Sequence, residues 1–208
     1  MIGVNELDQL WFLWIQANLR CESLDPYFTL FRDKHTWIPF YVFLLSWLFF
    51  QYGIKAWKVI IVCIVMIAVS DQVNSSLIKK MVKRERPCRV ENLLKHYQPL
   101  ISCSGGYSFP SSHATNHMGL AVLLILLIQK GKTRFWLLAW ALMVGFSQVY
   151  VGVHYTFDVM VGFLEGAMLA IMVYRVFNKF TGWSKVQDQY QKLKSGIRRS
   201  SGEEIIEL

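Results

Sequence analysis

The chain has 208 residues, 54% of them hydrophobic and 15% aromatic, with only 17% charged. So little charge argues against an ordinary soluble domain, and the length suits one compact unit, not several. The formal net charge of +8, carried on so apolar a chain, points to an anionic lipid surface or lipid substrate and away from nucleic acid.

The chain opens with MIGVNELDQLWFLW, which lacks the basic n-region and small-residue cleavage site of a signal peptide. Leu7 to Leu19 is rich in Trp and Leu, but at about three and a half turns it is too short to cross a bilayer and reads as an amphipathic helix lying in the interface. Five segments then read as transmembrane helices: Trp37 to Tyr52, Trp57 to Leu77, Asn116 to Leu127, Phe135 to Val153 and Phe157 to Phe177. The third is short unless the polar turn before it joins the helix. The expected fold is all-α, a polytopic membrane helix bundle of five spans plus the interfacial helix. Its expected divisions are 1–36, the interfacial helix and an outer segment; 37–178, the transmembrane domain; and 179–208, a tail with no catalytic signal.

Orientation follows from basic residues in short loops. Lys55 and Lys58, then Lys130, Lys132 and Arg134, then Arg175, Lys179, Lys185, Lys192, Lys194, Arg198 and Arg199 fall on one side if the five spans alternate. In the first 36 residues, Arg20, Arg32 and Lys34 are offset by Glu6, Asp8, Asp25 and Asp33. A multi-pass protein of the plasma (inner) membrane is expected, with its C-terminus cytoplasmic. The run from Lys79 to Lys95 breaks the rule. Its seven basic residues sit on the outer side, where they read as an anion site.

Three polar clusters end hydrophobic stretches on that outer face. Lys79 and Arg86 are seven residues apart, two turns of a helix, so both project from one face until Pro87 stops it; paired cations grip phosphate oxygens. Pro110-Ser111-Ser112-His113 reads as a capped helix start, whose free N–H groups suit an anion. His154 and Asp158 are four apart and stack on one helical face, where the carboxylate orients the imidazole. Taken singly, each has a plain structural explanation: snorkelling cations, an ordinary cap, a hydrogen bond at a helix start. Their order and shared face carry the functional reading.

Those residues resemble the type-2 phosphatidic acid phosphatase superfamily, over roughly residues 74–161. The family's first motif is Lys, six residues, Arg-Pro, matched by Lys79 to Arg86-Pro87. Its second is Pro-Ser-Gly-His, matched except for Ser112 in place of Gly. Its third is Ser-Arg, five residues, His, three residues, Asp, matched by Ser147, His154 and Asp158, with Gln148 where the family has Arg. The resemblance implies an integral membrane phosphatase acting on the terminal phosphate of a lipid: undecaprenyl diphosphate, phosphatidic acid, phosphatidylglycerol phosphate or lipid A. It implies that His154 attacks phosphorus to form a phosphohistidine, Asp158 holds it, and His113 protonates the leaving oxygen and then activates water. Lys79, Arg86, Ser111, Ser112 and Gln148 are the expected phosphate-binding set, with no metal and no other cofactor. The expected partners are the lipid substrate and membrane lipids. A charge lost at Gln148 is worth roughly 2–4 kcal/mol of transition-state binding if nothing replaces it, and Lys80, Lys83 and Arg84 are the candidates to replace it. Family phosphatases usually have six spans against five here.

Two rival readings stay open. His113 and His117 form an HxxxH that His154 and Asp158 can extend to a metal site, giving a metal-dependent membrane hydrolase. A non-catalytic anionic-lipid binder is the other. Cys88 and Cys103 flank the outer loop and can pair in an oxidising compartment. Asp71 and Glu165 lie two turns from the motifs and read as links to Asn74, Asn116 or His117. Gly105-Gly106 bends the loop, and Trp37, Trp47 and Trp57 suit interfacial anchoring.

Overall fold

The computed structural model describes residues 3–128, 131–189 and 192. Lys130, Lys194, Arg198 and Arg199 of the orientation argument lie outside the described residues. No strand occurs among the described residues. The helices are α1 (Val4–Asn18), α2 (Asp25–Arg32), α3 (Ile38–Tyr52), α4 (Ala56–Asp71), α5 (Lys79–Val82), α6 (Glu91–Leu94), α7 (Ser112–Ile128), α8 (Thr133–Tyr150) and α9 (Thr156–Thr181). The helix α7 does take in the polar turn, because Ser112 and His113 continue its backbone into the apolar run. The α9 helix, at 26 residues, is about 39 Å long and ample for a bilayer.

The α7 helix is the spine of the bundle, packed on α4, α8 and α9. Its buried Ala121, Leu123, Leu124 and Leu127 join Val59, Met66, Val144 and Ala170 of the other three helices in one core. Small residues set the α7–α9 spacing. A Cβ at Gly166 would meet the carbonyl oxygen of Thr115 at 2.3 Å, and one at Gly162 would meet that of Ser111 at 2.8 Å. These glycines therefore bring the start of α7 against the start of α9, where the second and third motifs lie. Outward, Phe43, Phe50, Ile64, Trp136, Leu164 and Met168 are all exposed, an apolar surface that suits lipid and not water.

Two regular-helix expectations fail at the site. Beyond α4 the backbone widens into a π-helical stretch, Gln72–Ile78, a rare form that recurs at functional positions. The helix then ends at Val82, and Lys83 adopts a left-handed conformation (φ 51°). Lys79 and Arg86 therefore do not share a helical face. Arg86 is extended (φ −74°, ψ 147°) ahead of the Pro87–Arg89 turn, because the segment after Lys83 is pulled over the bundle, with Ser108 N–H donating to the Arg84 carbonyl at 2.8 Å. His154 and Asp158 also do not share a helix. Gly152 (φ 84°) turns the chain after α8, and His154 precedes the first residue of α9.

The N-terminal helices dock on the same end of the bundle. Asp8, Phe12 and Gln16 are the buried residues of α1, while Leu7, Leu10, Trp11 and Trp14 are exposed, as a helix lying in a membrane interface requires. Trp37 is half-buried. It stacks on Phe31, meets Phe40 and Trp140 edge-on, and donates from Nε1 to the Phe31 carbonyl at 2.8 Å. At the opposite end, beyond the Gly182 cap of α9, Trp183 is buried and donates to the Leu127 carbonyl at 3.1 Å.

Candidate active site

The site is assembled from the α4–α5 end, the loop after it, the start of α7, the end of α8 and the start of α9. His154 lies at its centre, 2% exposed. Its Nδ1 is 3.4 Å from Asp158 Oδ2, and its Nε2 is 2.8 Å from Arg86 Nη1. A guanidinium only donates, so Nε2 carries the lone pair and Nδ1 the proton, turned to the carboxylate. Burial, aided by the charges of Arg86 and Lys79, holds the imidazole down to about 4 against the opposing pull of Asp158. The ring is therefore neutral at physiological pH. The Gln148 carbonyl accepts from the backbone N–H groups of Val153 and His154 at 3.1 and 3.2 Å, which fixes the turn that presents the ring.

Asp158 is saturated. Its Oδ2 accepts from the Tyr155 N–H at 3.0 Å, in a capping arrangement at the start of α9, and from the Ser108 hydroxyl. Its Oδ1 pairs with Arg84 Nη1 at 2.7 Å. The same Arg84 nitrogen pairs with Asp8 Oδ2 at 2.8 Å, and the guanidinium lies 4.0 Å from the Tyr155 ring centroid. Asp8 Oδ1 in turn accepts from the Phe157 N–H at 2.9 Å. Arg84 is thus paired with two carboxylates through Nη1, its Nη2 buried without a hydrogen-bond partner, and its charge, already balanced, does not replace the one missing at Gln148. Lys80 and Lys83 are exposed and do not replace it either.

The cations and hydroxyls surround the histidine. Arg86 Nη1 also donates to the Val153 carbonyl at 3.1 Å and Nη2 to that of Gly105 at 3.3 Å. Burial, then the neighbouring Arg89 charge, lowers the Arg86 guanidinium to about 10. The Arg86 Nε and the Ser111 hydroxyl are buried without a hydrogen-bond partner, so Ser111 is not the cap its position implies and both atoms lack a protein acceptor. Lys79 Nζ donates to Ser112 Oγ at 2.9 Å, and that hydroxyl donates to Asn74 Oδ1 at 2.9 Å. The hydroxyl that Ser112 adds over glycine therefore anchors the first motif to the second. Asn74 continues the chain to Thr115 Oγ1 at 3.1 Å and Glu165 Oε2 at 3.2 Å, and Asn116 donates to Asp71 Oδ1 at 2.8 Å. Both acids therefore link helices, as their spacing predicts.

His113 lies in the first turn of α7, its ring parallel to that of His117 at 6.3 Å. His117 turns away from the site, with Nδ1 2.9 Å from the His113 carbonyl and Nε2 3.5 Å from Tyr41 OH. Among the described residues, no three His, Cys, Asp or Glu side chains are grouped to hold a metal ion, so the HxxxH does not extend to His154 and Asp158.

Gln148 is fully buried, and its Oε1 is 3.4 Å from Nε of Arg32, whose Nη2 donates to Ser104 Oγ at 3.0 Å. The outer loop is tied down beside it. Cys88 and Cys103 form a disulfide with Cα atoms 5.8 Å apart, and Arg89 donates to the Ser104 carbonyl at 2.8 Å. Asp8, Ser108 and Arg32, which no motif marks, touch Arg84, Asp158 and Gln148. Asp8 carried one signal: it shares a helical face with Phe12 and Gln16, four and eight residues on, and the three are the buried residues of α1.

The arrangement has relatives. The profile of a family described as the PAP2 superfamily matches residues 58–182. A lipid A 4'-phosphatase of Bacteroides thetaiotaomicron is 31% identical over 163 residues, covering 76% of this chain and 71% of that protein. A lipid A 4'-phosphatase of Porphyromonas gingivalis is 30% identical over 158 residues, covering 74% of this chain and 66% of that protein. The crystal structure of a transmembrane PAP2 type phosphatidylglycerolphosphate phosphatase from Bacillus subtilis superposes with a TM-score of 0.65 at 24% identity, over 86% of this chain and 87% of that one.

Proposed function

The chain belongs to the PAP2 superfamily, and on that premise we propose that it is an integral membrane phosphatase that removes the terminal phosphate of a lipid through a phosphohistidine on His154. One observation carries the reading: a neutral, buried imidazole held between Asp158 at Nδ1 and Arg86 at Nε2, beside unpartnered donors on Ser111 and Arg86. An arriving phosphate takes over the Arg86 hydrogen bond and frees the Nε2 lone pair. Nε2 forms the bond to phosphorus as the phosphorus–oxygen bond to the lipid breaks, and His113, which takes up a proton from water as the phosphate dianion binds beside it, delivers that proton to the departing oxygen. Asp158 stabilises the positive ring. Water then gives a proton to His113 and attacks phosphorus, the nitrogen–phosphorus bond breaks, and inorganic phosphate leaves. Lys79, Arg86, Ser111 and the first N–H groups of α7 hold the equatorial oxygens throughout.

The lipid tails have a place. A cavity of about 670 Å³ between α3, α4 and α7 is lined by Leu44, Leu48, Ile60, Ile64 and Leu120, with Tyr41, Asn116 and His117 among its polar groups. The site faces the outer side of the membrane and the C-terminus the cytoplasm, a reading supported by the loop charges. Lipid A 4'-phosphate heads the substrate candidates, because two relatives at 30% identity or more carry that name. Phosphatidylglycerol phosphate, phosphatidic acid and undecaprenyl diphosphate complete the panel. The test is phosphate release from these four lipids by purified protein, with His154→Ala as the blank. Release above the blank from at least one lipid is expected, and equal release by the blank sinks the mechanism.

A further inference from the structure

Resting on this reading of the site, we propose that Arg32 is a phosphate-binding residue, supplying from α2 the guanidinium that position 148 of α8 lacks. Arg32 ends α2 and reaches inward to Gln148 Oε1 and Ser104 Oγ through Nε and Nη2. Those contacts use two of its five N–H donors, and its Nη1 has no protein acceptor among the described residues. It has no carboxylate within 4.0 Å there either; the ion pairs belong to Arg20, Arg84 and His154. The adjacent Asp33 turns its carboxylate to the His35 N–H at 3.0 Å. Burial lowers the basicity of this half-buried guanidinium, and the Asp33 charge, beyond contact distance, offsets that only in part. The Arg32 charge is felt by Arg86 and His113, the groups assigned to the phosphate and the leaving oxygen. A bound dianion would relieve that strain on all three.

The placement is built, not incidental. Phe28 stacks on Tyr150 of α8 at 4.0 Å, and Tyr150 OH bonds Asp25 Oδ1 at 3.0 Å, so the helix carrying Arg32 lies fixed along the one carrying Gln148. Trp37 clamps the carbonyl preceding Arg32. Ser104 follows the Cys103 half of the disulfide. Preorganised donors of this kind need no rearrangement when charge develops. Gln148 also suits the arrangement chemically. Its Oε1 accepts from Arg32, whereas an arginine there would set two guanidinium groups against each other.

The test compares wild type, Arg32→Gln, and the exchange Arg32→Gln/Gln148→Arg on the best lipid of the panel, with orthovanadate inhibition as a second readout. Arg32→Gln retains hydrogen-bonding length and removes the charge. It is expected to lower kcat/KM about 100-fold and to weaken vanadate at least tenfold, with an unchanged unfolding temperature. The exchange is expected to recover at least tenfold of that loss. Should Arg32→Gln yield unstable protein, Arg32→Lys keeps the charge and loses the fork, and is expected to sit between the two. Arg32→Gln within threefold of wild type in both readouts overturns the proposal, as does lost turnover with vanadate affinity unchanged. Activity that survives His154→Ala would instead strike the phosphohistidine reading and leave this one aside.

Discussion

Two regions meet at His154 and teach different lessons. The motif region, on the α4–α5 end, α7 and α9, brings Lys79, Arg86, His113, His154 and Asp158 into one place through short loops and glycine-spaced helices. The N-terminal region, α1 and α2, is 149 residues from its partner in the case of Asp8 and Phe157, and no motif covers it. Yet it supplies Asp8 behind Asp158 and Arg32 beside Gln148. The motif region holds the groups that would make and break bonds. The N-terminal region sets the charge around them.

The sharpest way to break this contrast is to neutralise one carboxylate from each region. Asp158→Asn removes the acceptor that fixes the His154 tautomer, and by analogy with orienting carboxylates in triads kcat falls about 10⁴-fold. Asp8→Asn keeps an oxygen for the Phe157 N–H but releases Arg84 wholly onto Asp158. Its kcat falls about tenfold, the scale on which outer partners act, and unfolding is easier by about 2 kcal/mol. Steady-state kinetics and thermal unfolding in detergent check both. Equal losses in the two variants would erase the distinction between the regions.

Legibility divided along the same line. The helices could be read because each span is a long apolar run, and the site's chemistry because five polar residues stand out at its ends. The backbone at those ends could not. The Lys79–Arg86 run looks helical by spacing, but Lys83 is left-handed since the Arg84 carbonyl pairs with Ser108 N–H across the loop. His154 sits off the helix since Gly152 turns tightly beside Tyr97, where a Cβ would come within 2.6 Å of the ring. Both outcomes depend on contacts between segments far apart in sequence. Arg32 was hidden for a related reason. In the sequence it is one outer basic residue among three, and only the docking of α2 on α8 aims it at Gln148.

The disulfide offers a smaller contrast between the regions, because it braces the loop that lies between them. Closing the segment from Cys88 to Cys103, separated by 15 residues, is worth about 3 kcal/mol in the chain-entropy picture. The double variant Cys88→Ser/Cys103→Ser is expected to lose that much stability. It should raise KM more than it lowers kcat, since Ser104 and the Gly105 and Gly106 carbonyls hold Arg32, Arg86 and Arg89 and not His154. A drop in kcat with KM unchanged would place the loop's influence on the motif region instead.

A last effect is a pH dependence that belongs to the motif region. His154 ionises near 4 in the folded protein, from an ordinary value of 6.5. Above pH 6.5 the ring is neutral in both states and its contribution to stability is whole. As pH falls below 6.5 the unfolded chain takes up a proton that the folded chain refuses, and stability drops. The loss is about 1 kcal/mol at pH 6 and roughly 3 kcal/mol by pH 4. Thermal unfolding of wild type and His154→Ala across pH 7.5 to 4.5 isolates it. Wild type should lose more stability than the variant over that range. Parallel curves for wild type and His154→Ala would mean that the ring is not kept neutral by its burial, and the case for a nucleophile prepared by the fold would fail with it.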